Sequence, residues 1–499
     1  MRKRGEKRHK NSACVHTIGR MKINDCIKGK RFCFLGIGGA SMSALAKYVL
    51  WQGGEVFGYD GAKNGYTAAL EESGVKIYYG EGICAEEKAA INAADEIVAT
   101  SAIDFSHPRV EECLAQGKEV TFRGAFLGKV ARRFEKTIAF CGSHGKSTAT
   151  GACAHIFAAA NEEFCAHIGG EDLRFSNFYA CGERYLLSEV CEYKKNLLHV
   201  YPQTAVLLNV DRDHMECYAD EKDLISTFRE FCERAEKVVF CADEANLEFR
   251  GRKNEIGFGI ESEEADVRAK NVVSVGERYS FDLWVRGVFL RRIELNVIGR
   301  CHVYNALAAA AAALCNGIGA DGVARGLESF CGIKRRFEKI GCADGTEWYA
   351  DYAHHPREIA ECLATARKLT NGRTVLIFQP HTYSRTKALF DEFASVLSGG
   401  ADEVLLLKEY AAREAYDEKY GAEALKRTVN RADYADCFDE VERWIGEKAK
   451  RGDVVLFVGA GDIYERAKRA LEKRRKNGKE KRNDALNREE FGADDVSET

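Results

Sequence analysis

CGSHGKST, at residues 141–148, is the most informative stretch of this chain. It follows an apolar run, residues 137–141, that is typical of a buried strand, and it precedes a run of small residues, 149–160, that is typical of a helix. A glycine turn between a strand and a helix N-terminus binds anions, because unpaired N–H groups and the helix dipole point at one place. The stretch therefore predicts a phosphate-binding loop.

Each residue type in this loop suits a nucleotide phosphate. Gly142 and Gly145 let the backbone close around oxygens, Lys146 supplies a point charge, and Ser147 offers a hydroxyl to Mg²⁺. Phe140 stands where the standard pattern has its first glycine, so the loop is a shortened form. An ordinary strand-to-helix turn is the alternative, but it gives no reason for the Gly-Lys-Ser order. We expect the chain to bind and cleave ATP.

Length and composition set the scale of the molecule. The 499 residues suggest about three domains of ~150 residues. A net charge of −3 argues against coating nucleic acid, and no apolar run is long enough to insert in a membrane. The nineteen cysteines form no C-x-x-C motif. We therefore interpret them as small apolar side chains in a reducing cytoplasm rather than as disulfide partners or zinc ligands.

Strand-like apolar runs alternate with helical stretches along the chain, which favours an α/β fold with mostly parallel sheets. The phosphate loop opens a central block, and similar blocks precede and follow it. Both chain ends are rich in charge and are predicted to be tails. The predicted divisions are a tail at 1–28, a first domain at 29–134, a central domain at 135–331, a C-terminal domain at 332–472 and a tail at 473–499.

A second glycine-rich turn, GIGGASMS at residues 36–43, lies near the start of the chain. It follows the apolar run 32–35, and a second strand-like run ends at Asp60, about 20 residues beyond the glycines. This arrangement fits a dinucleotide-type fold, although Ser41 replaces the third glycine. A nucleotide site and a plain strand–helix turn both remain open for this segment.

Polar clusters follow several other predicted strands. They are SEVCEY at 188–193, NVDRDHME at 209–216, DYAHHP at 351–356 and FQPHTYSRT at 378–386. Open parallel sheets place ligands at such strand ends, and carboxylate and imidazole groups bind metal ions. Solvent-facing acids and unremarkable charged loops are the alternatives for each cluster.

The ordered set of these motifs resembles the Mur ligase family over roughly residues 30–465. The resemblance rests on the two glycine loops, the four polar clusters, GR at 299–300 with NALAA at 305–309, KRRFE at 334–338 and GAGDI at 459–463. It implies a Rossmann-like domain for a UDP-linked substrate, a central P-loop-type ATPase domain and a Rossmann-like C-terminal domain that brings the amino acid.

The resemblance also implies the reaction and its participants. The expected activity is ATP-dependent joining of L-alanine to UDP-N-acetylmuramate through an acyl phosphate, with Mg²⁺, in cytoplasmic peptidoglycan precursor synthesis. We expect a monomer or weak homodimer. Two rivals stay open: a recycling ligase that attaches a tripeptide to the same nucleotide sugar, and a nicotinamide-dependent oxidoreductase built on the first glycine loop.

Residue roles follow from the same resemblance. The residues expected to take part in the reaction are Lys146, Glu189, His214, Arg336, Asp351, His354, His381 and Arg385. The ATP-binding residues are Gly142, Ser143, His144, Gly145, Lys146, Ser147, Thr148, Asn305 and Arg336. The residues for the UDP-linked substrate are Gly36, Gly38, Gly39, Ala40, Ser41, Met42, Asp60, Ser101 and Arg123. The metal ligands are Ser147, Glu189 and His214.

The chain departs from the family pattern at several positions. Cys301-His302 replaces the usual His-Asn pair near the adenine site, and Thr382 replaces an arginine beside His381. Glu81 stands where a histidine is common. Sister ligases have a lysine that is carbamylated, and the nearest position here is Arg229. The absence of that lysine fits the alanine-adding branch.

Overall fold

The computed structural model describes residues 27–244, 254–275, 278–412 and 414–476. The predicted tail at 1–28 therefore lies outside the described residues, apart from its last two positions. The tail predicted at 473–499 lies outside them from residue 477 onward.

The first sheet has five parallel strands in the order β3-β2-β1-β4-β5. The chain leaves β1 in one direction and returns on its other side at β4, so the loop after β1 lies at a topological switch point, where such sheets bind ligands. The strands are β1 (Arg31–Leu35), β2 (Glu55–Asp60), β3 (Lys76–Tyr79), β4 (Glu96–Ala99) and β5 (Val120–Phe122). The helices are α1 (Ala40–Trp51), α2 (Gly65–Glu72), α3 (Ala85–Asn92), α4 (Pro108–Ala115) and α5 (Arg123–Ala131).

The second sheet has ten strands in the order β15-β14-β13-β12-β11-β10-β6-β9-β7-β8. The strands are β6 (Lys136–Cys141), β7 (Phe164–Asp172), β8 (Ser176–Ala180), β9 (Tyr185–Glu189), β10 (Thr204–Leu207), β11 (Lys237–Cys241), β12 (Glu255–Gly259), β13 (Val267–Val275), β14 (Arg278–Val285) and β15 (Val288–Leu295). The helices are α6 (Lys146–Ala159), α7 (Glu221–Glu233), α8 (Cys301–Cys315) and α9 (Ala320–Ser329).

The phosphate loop lies at the centre of this second sheet. Its strand, β6, pairs in parallel with β9 and β10, so the ends of all three strands meet at one edge. Helices α6 and α8 cover this region with small side chains, and the run 308–313 of α8 is fully buried. Alanine lets a helix lie close to a sheet without leaving voids. The loop is therefore held between a rigid strand and a tightly packed helix.

The third sheet has six strands in the order β16-β17-β21-β18-β19-β20, and only β16 runs antiparallel to its neighbour. The strands are β16 (Glu338–Ala343), β17 (Thr346–Asp351), β18 (Thr374–Phe378), β19 (Glu403–Leu407), β20 (Ala432–Ala435) and β21 (Val454–Val458). The helices are α10 (Pro356–Leu369), α11 (Tyr383–Ala388), α12 (Phe390–Gly400), α13 (Ala422–Thr428), α14 (Phe438–Lys448) and a last helix at 463–476.

The predicted fold class, three α/β units with mostly parallel sheets, is confirmed. One local expectation was less accurate. The helix predicted from residue 149 begins at Lys146, inside the predicted loop. The domain boundaries at 134 and 331 stay a prediction. All seventeen cysteines within the described ranges are free, and no helix there is long and apolar enough to cross a membrane.

Candidate active site

The phosphate loop adopts a conformation that only glycine accepts easily at two positions. Gly142 has φ 129° and Gly145 has φ 84°. A side chain at Gly145 would also overlap the Asn305 amide, which lies directly against the loop. Asn209 fixes the loop from the next strand, because its side chain exchanges hydrogen bonds with the backbone N–H and carbonyl of His144 at 2.8 and 3.1 Å. The loop is therefore shaped before any ligand binds.

Lys146 is paired with a buried carboxylate. Its ammonium lies 3.0 Å from Glu192 Oε2 and donates to the carbonyl oxygens of Gly142 and Ser143. Glu192 is 1% exposed, and the lysine side chain 15%. Burial alone would lower the pKa of Lys146, but Glu192 outweighs it and raises the pKa. The lysine is therefore charged and oriented toward the loop.

Ser147, the next residue, meets a different carboxylate. Its hydroxyl donates to Glu189 Oε2 at 2.6 Å, at the end of β9. The carboxylate fits here because Gly169 leaves room for it; any side chain at Gly169 would overlap Glu189. The predicted pair of Ser147 and Glu189 is thus in direct contact beside the loop.

A second group of potential metal ligands includes Glu192, the partner of Lys146. Single ligand atoms of Glu192, Asp213 and His214 all lie within 4.8 Å of one another. Two carboxylates and an imidazole suit a divalent cation such as Mg²⁺ or Mn²⁺. His214 has a left-handed backbone (φ 56°) that turns its ring toward this group. Burial lowers the pKa of His214, but Glu216 and Asp213 outweigh it and raise the pKa.

His144 joins the phosphate loop to the third unit. Its Nδ1 lies 3.0 Å from Glu358 on α10, and its Nε2 lies 2.9 Å from Asp211. The ring of His355 lies 5.0 Å away. Burial would lower the pKa of His144, but the two carboxylates outweigh it and raise the pKa to about 9. The imidazole is therefore charged near neutral pH, and it bridges two units.

Arg385 makes a second bridge between the same units. Its guanidinium donates to Asp213 Oδ1 at 3.0 Å and lies 3.2 Å from His381 Nδ1. The rings of His354 and His381 are 6.1 Å apart. Burial lowers the pKa of His354 to about 4 and that of His381 to about 3. Both imidazoles are therefore neutral at physiological pH.

A cavity of about 360 Å³ opens beside the loop, between the second and third units. Asn305 and Arg336, predicted for adenine and phosphate, both line it, as do Cys301 and His302. Asp351 lies at its wall and accepts hydrogen bonds from two backbone N–H groups; burial raises the pKa of this carboxyl to about 6. The volume and the adjoining loop suit a nucleotide.

The first glycine loop is also organised. Asp60 accepts a hydrogen bond from Gly38 N–H at 2.7 Å, which occupies one oxygen of the predicted substrate ligand. Ser41 lies 2.9 Å from His167 of the second unit and accepts from Arg123 at 3.3 Å. The backbone of Gly36 is left-handed (φ 79°), Gly39 precedes α1, and Ala40 begins that helix.

Two of the predicted substrate ligands are placed differently from the rest. The side chain of Met42 is buried in an apolar cluster. Ser101 is buried against the second unit, where its hydroxyl donates to Asn196 at 3.2 Å. Neither side chain is free to meet a ligand in this arrangement.

The structure also gathers residues that sequence reasoning left out of the site. Glu192, Asp213 and Glu358 each contact a predicted site residue, namely Lys146, Arg385 and His144. Glu192 stands three positions after Glu189 in one motif, and sequence alone gave no means to choose between them. Asp213 could have been recognised as a site residue from its position next to His214 in the sequence.

The fold and site define a class of enzyme with three α/β units around one phosphate loop. Sequence profiles described as "Mur ligase family, catalytic domain", "Mur ligase middle domain" and "Mur ligase, glutamate ligase domain" match residues 31–135, 141–313 and 335–461 in order. The chain belongs to the Mur ligase family.

The chain is similar to several individual proteins of this family. A UDP-N-acetylmuramate–L-alanine ligase of Clostridium botulinum is 34% identical over 88% of this chain and 96% of its own length, and one of Clostridium acetobutylicum is 35% identical over 87% and 96%. The crystal structure of UDP-N-acetylmuramate-alanine ligase from Thermotoga maritima has a TM-score of 0.76 at 25% identity, covering 90% of this chain and 99% of that one. A murein peptide ligase from Psychrobacter arcticus shares the fold, with a TM-score of 0.69 at 24% identity and coverage of 89% and 98%.

Proposed function

We propose that this chain is an ATP-dependent ligase that joins L-alanine to the carboxylate of UDP-N-acetylmuramate. The curated relatives of that name cover nearly all of their own length in this chain. The reaction takes place in the cytoplasm, where ATP and nucleotide sugars are available. The chain acts as a monomer or weak homodimer.

One observation carries the proposal: residues of the third unit meet the phosphate loop directly. His144 of the loop contacts Glu358, and Asp213 beside the loop contacts Arg385. An enzyme that only hydrolysed ATP would have no need of a third unit over its phosphate site. A ligase needs one, because ATP, a carboxylate and an amine must meet within a few ångströms.

In the proposed reaction, the carboxylate of UDP-N-acetylmuramate attacks the γ-phosphorus of ATP, and ADP leaves. The amine of alanine then attacks the acyl phosphate, and inorganic phosphate leaves as the amide forms. Lys146 in the phosphate loop and Arg336 at the cavity wall neutralise phosphate charge, which is the main task in phosphoryl transfer. Asn305 and the cavity around it hold the adenine.

The third unit supplies a neutral hydrogen-bond acceptor for the amine. Nδ1 of His354 lies 2.8 Å from the carbonyl oxygen of Tyr352, which only accepts, so the proton sits on Nδ1 and Nε2 is left with its lone pair. Its low pKa keeps this imidazole neutral. His354 Nε2 can therefore accept a hydrogen bond from the alanine amine, while the departing phosphate takes up the proton; Arg385 and His381 lie beside it, and the guanidinium suits the amino acid's carboxylate.

Two sets of residues fit Mg²⁺ by the chemistry of their donors. Ser147 with Glu189 forms one, and His214 with Glu192 and Asp213 forms the other. When bound, Mg²⁺ would neutralise the charge that develops on the transferred phosphoryl group.

Glu192→Gln is expected to raise the Mg²⁺ concentration for half-maximal ligation more than Glu189→Gln does, since only Glu192 also holds Lys146. Equal shifts in the two variants would contradict this ranking.

The product identifies the activity. Mass spectrometry after incubation with ATP and UDP-N-acetylmuramate is expected to show the alanyl product when free L-alanine is offered. The fold likeness to a murein peptide ligase makes a tripeptide the informative second acceptor. Preferential ligation of the tripeptide would reject the proposal and identify a recycling ligase.

A further inference from the structure

A short segment, residues 193–199, lies between the first unit and the phosphate site, and we call it the linking segment. It follows Glu192 directly and contains two consecutive left-handed lysines after Tyr193: Lys194 has φ 50° and ψ 32°, and Lys195 has φ 55° and ψ 27°. Lysine rarely adopts this backbone, and two in succession persist only where the surroundings fix them. The segment is thus held in an unusual shape beside a site that needs precision.

One side of the linking segment is tied to the first unit. The Lys194 ammonium donates to the carbonyl oxygen of Ser101 at 3.0 Å. The Ser101 hydroxyl donates in turn to Asn196 Oδ1 at 3.2 Å, and Asn196 Nδ2 donates to the carbonyl oxygen of Tyr193 at 2.5 Å. Ser101 follows β4, at the edge of the first sheet that also carries the glycine loop.

Close packing makes this tie stiff. Helix α5 of the first unit presents Gly124 and Gly128, one turn apart, to the linking segment. A side chain at Gly124 would overlap the Asn196 amide, and one at Gly128 would overlap the His199 carbonyl. The first unit therefore cannot shift against the segment without moving it.

The other side of the linking segment holds the phosphate site. Lys195 N–H donates to the Glu192 carbonyl oxygen at 2.8 Å, and the Tyr193 ring lies 5.2 Å from the His214 ring. Glu192 is the carboxylate that pairs with Lys146. A displacement of the segment is thus passed directly to the Glu192 carboxylate.

We propose that Lys194 and Asn196 are positioning residues that couple the UDP-sugar domain to the placement of Glu192 beside the phosphate loop. This inference rests on the proposed function, in which the first unit binds the nucleotide sugar and Glu192 helps to hold a divalent cation. Binding of the sugar nucleotide then favours the position of Glu192 that completes the cation site, and cation binding favours sugar binding equally, as linkage requires.

The test measures this coupling rather than activity alone. Mn²⁺ is titrated against the full-length enzyme with a non-hydrolysable ATP analogue, with and without UDP-N-acetylmuramate, and free Mn²⁺ is followed by electron paramagnetic resonance. Lys194→Met removes the ammonium at an exposed position, and Lys194→Arg restores a donor. Lys195→Met is the matched control: it is the neighbouring left-handed lysine, but its ammonium pairs with Asp223 within the second unit.

UDP-N-acetylmuramate is expected to lower the half-saturating Mn²⁺ concentration by at least about fivefold in the wild type, Lys194→Arg and Lys195→Met. In Lys194→Met the difference between the two titrations should be clearly smaller than in the wild type, because only the Asn196 hydrogen bond and the glycine contacts remain, and the melting temperature should be unchanged. Retention of the full difference in Lys194→Met, its equal loss in Lys195→Met, or its absence from the wild type would each overturn the inference. A wild type that binds the nucleotide sugar but ligates no alanine would instead reject the proposed function.

Discussion

At the scale of single residues, the pairing of Lys146 with Glu192 sets the chemistry of the phosphate loop. A buried carboxylate is costly unless it is paired and hydrogen-bonded, and here the lysine is its partner. When phosphate binds, the same ammonium must serve both anions. The Gly-Lys-Ser order of the loop was predictable from the sequence. The buried carboxylate that pairs with Lys146 was not.

Removing Lys146 is therefore expected to cost stability as well as activity. Lys146→Met should abolish ligation and lower the free energy of unfolding by about 3 kcal/mol, because Glu192 is left buried without a partner. The double variant Lys146→Met/Glu192→Gln should regain most of that stability and none of the activity. Denaturant unfolding of the two variants checks this. Equal stability of both variants would show that the pair is not the cause.

The charge on His144 predicts a pH dependence. Its folded pKa of about 9 lies above the ordinary value of 6.5, so its stabilising effect is complete below about pH 6.5 and is lost as pH rises through about 9. The melting temperature of the wild type should therefore fall toward that of His144→Gln between pH 7 and pH 10. A constant difference between the two proteins over that range would contradict a charged His144.

At the scale of secondary-structure elements, the contact between α5 and the linking segment depends on glycine. Gly128→Ala places a methyl group against the His199 carbonyl and is expected to destabilise the protein by about 1–3 kcal/mol. Gly65→Ala, at the start of α2, meets no atom within 4 Å and should be neutral or slightly stabilising. Thermal melting of both variants distinguishes them. Equal effects would mean that α5 can move away from the segment.

Some of the strands could be predicted from the sequence, and others could not. Strands β6 and β18 were predictable, because each is a continuous apolar run followed by glycine, proline or polar residues. The antiparallel edge formed by β13, β14 and β15 was not, since polar and charged residues interrupt every apolar run in these strands. The choice between Glu189 and Glu192 depended on where the chain turns after β9, which local sequence does not specify.

At the scale of the whole molecule, the second and third units meet through charged groups around the phosphate loop. His144 with Glu358, Asp213 with Arg385, and Arg357 with both Asp211 and Glu244 all cross between them. Polar contacts of this kind can form and break without exposing a large apolar surface. The arrangement suits a site that closes over its substrates and then opens to release a bulky nucleotide product.

Phosphate transfer is expected to require all three units to hold their ligands at once. Phosphate release is therefore measured with ATP and Mg²⁺ alone, with UDP-N-acetylmuramate or L-alanine added singly, and with both. Slow release is expected in the first three mixtures and fast release only in the fourth, with one phosphate formed for each alanyl product. Release at the full rate without either co-substrate would show that the three units are not required together.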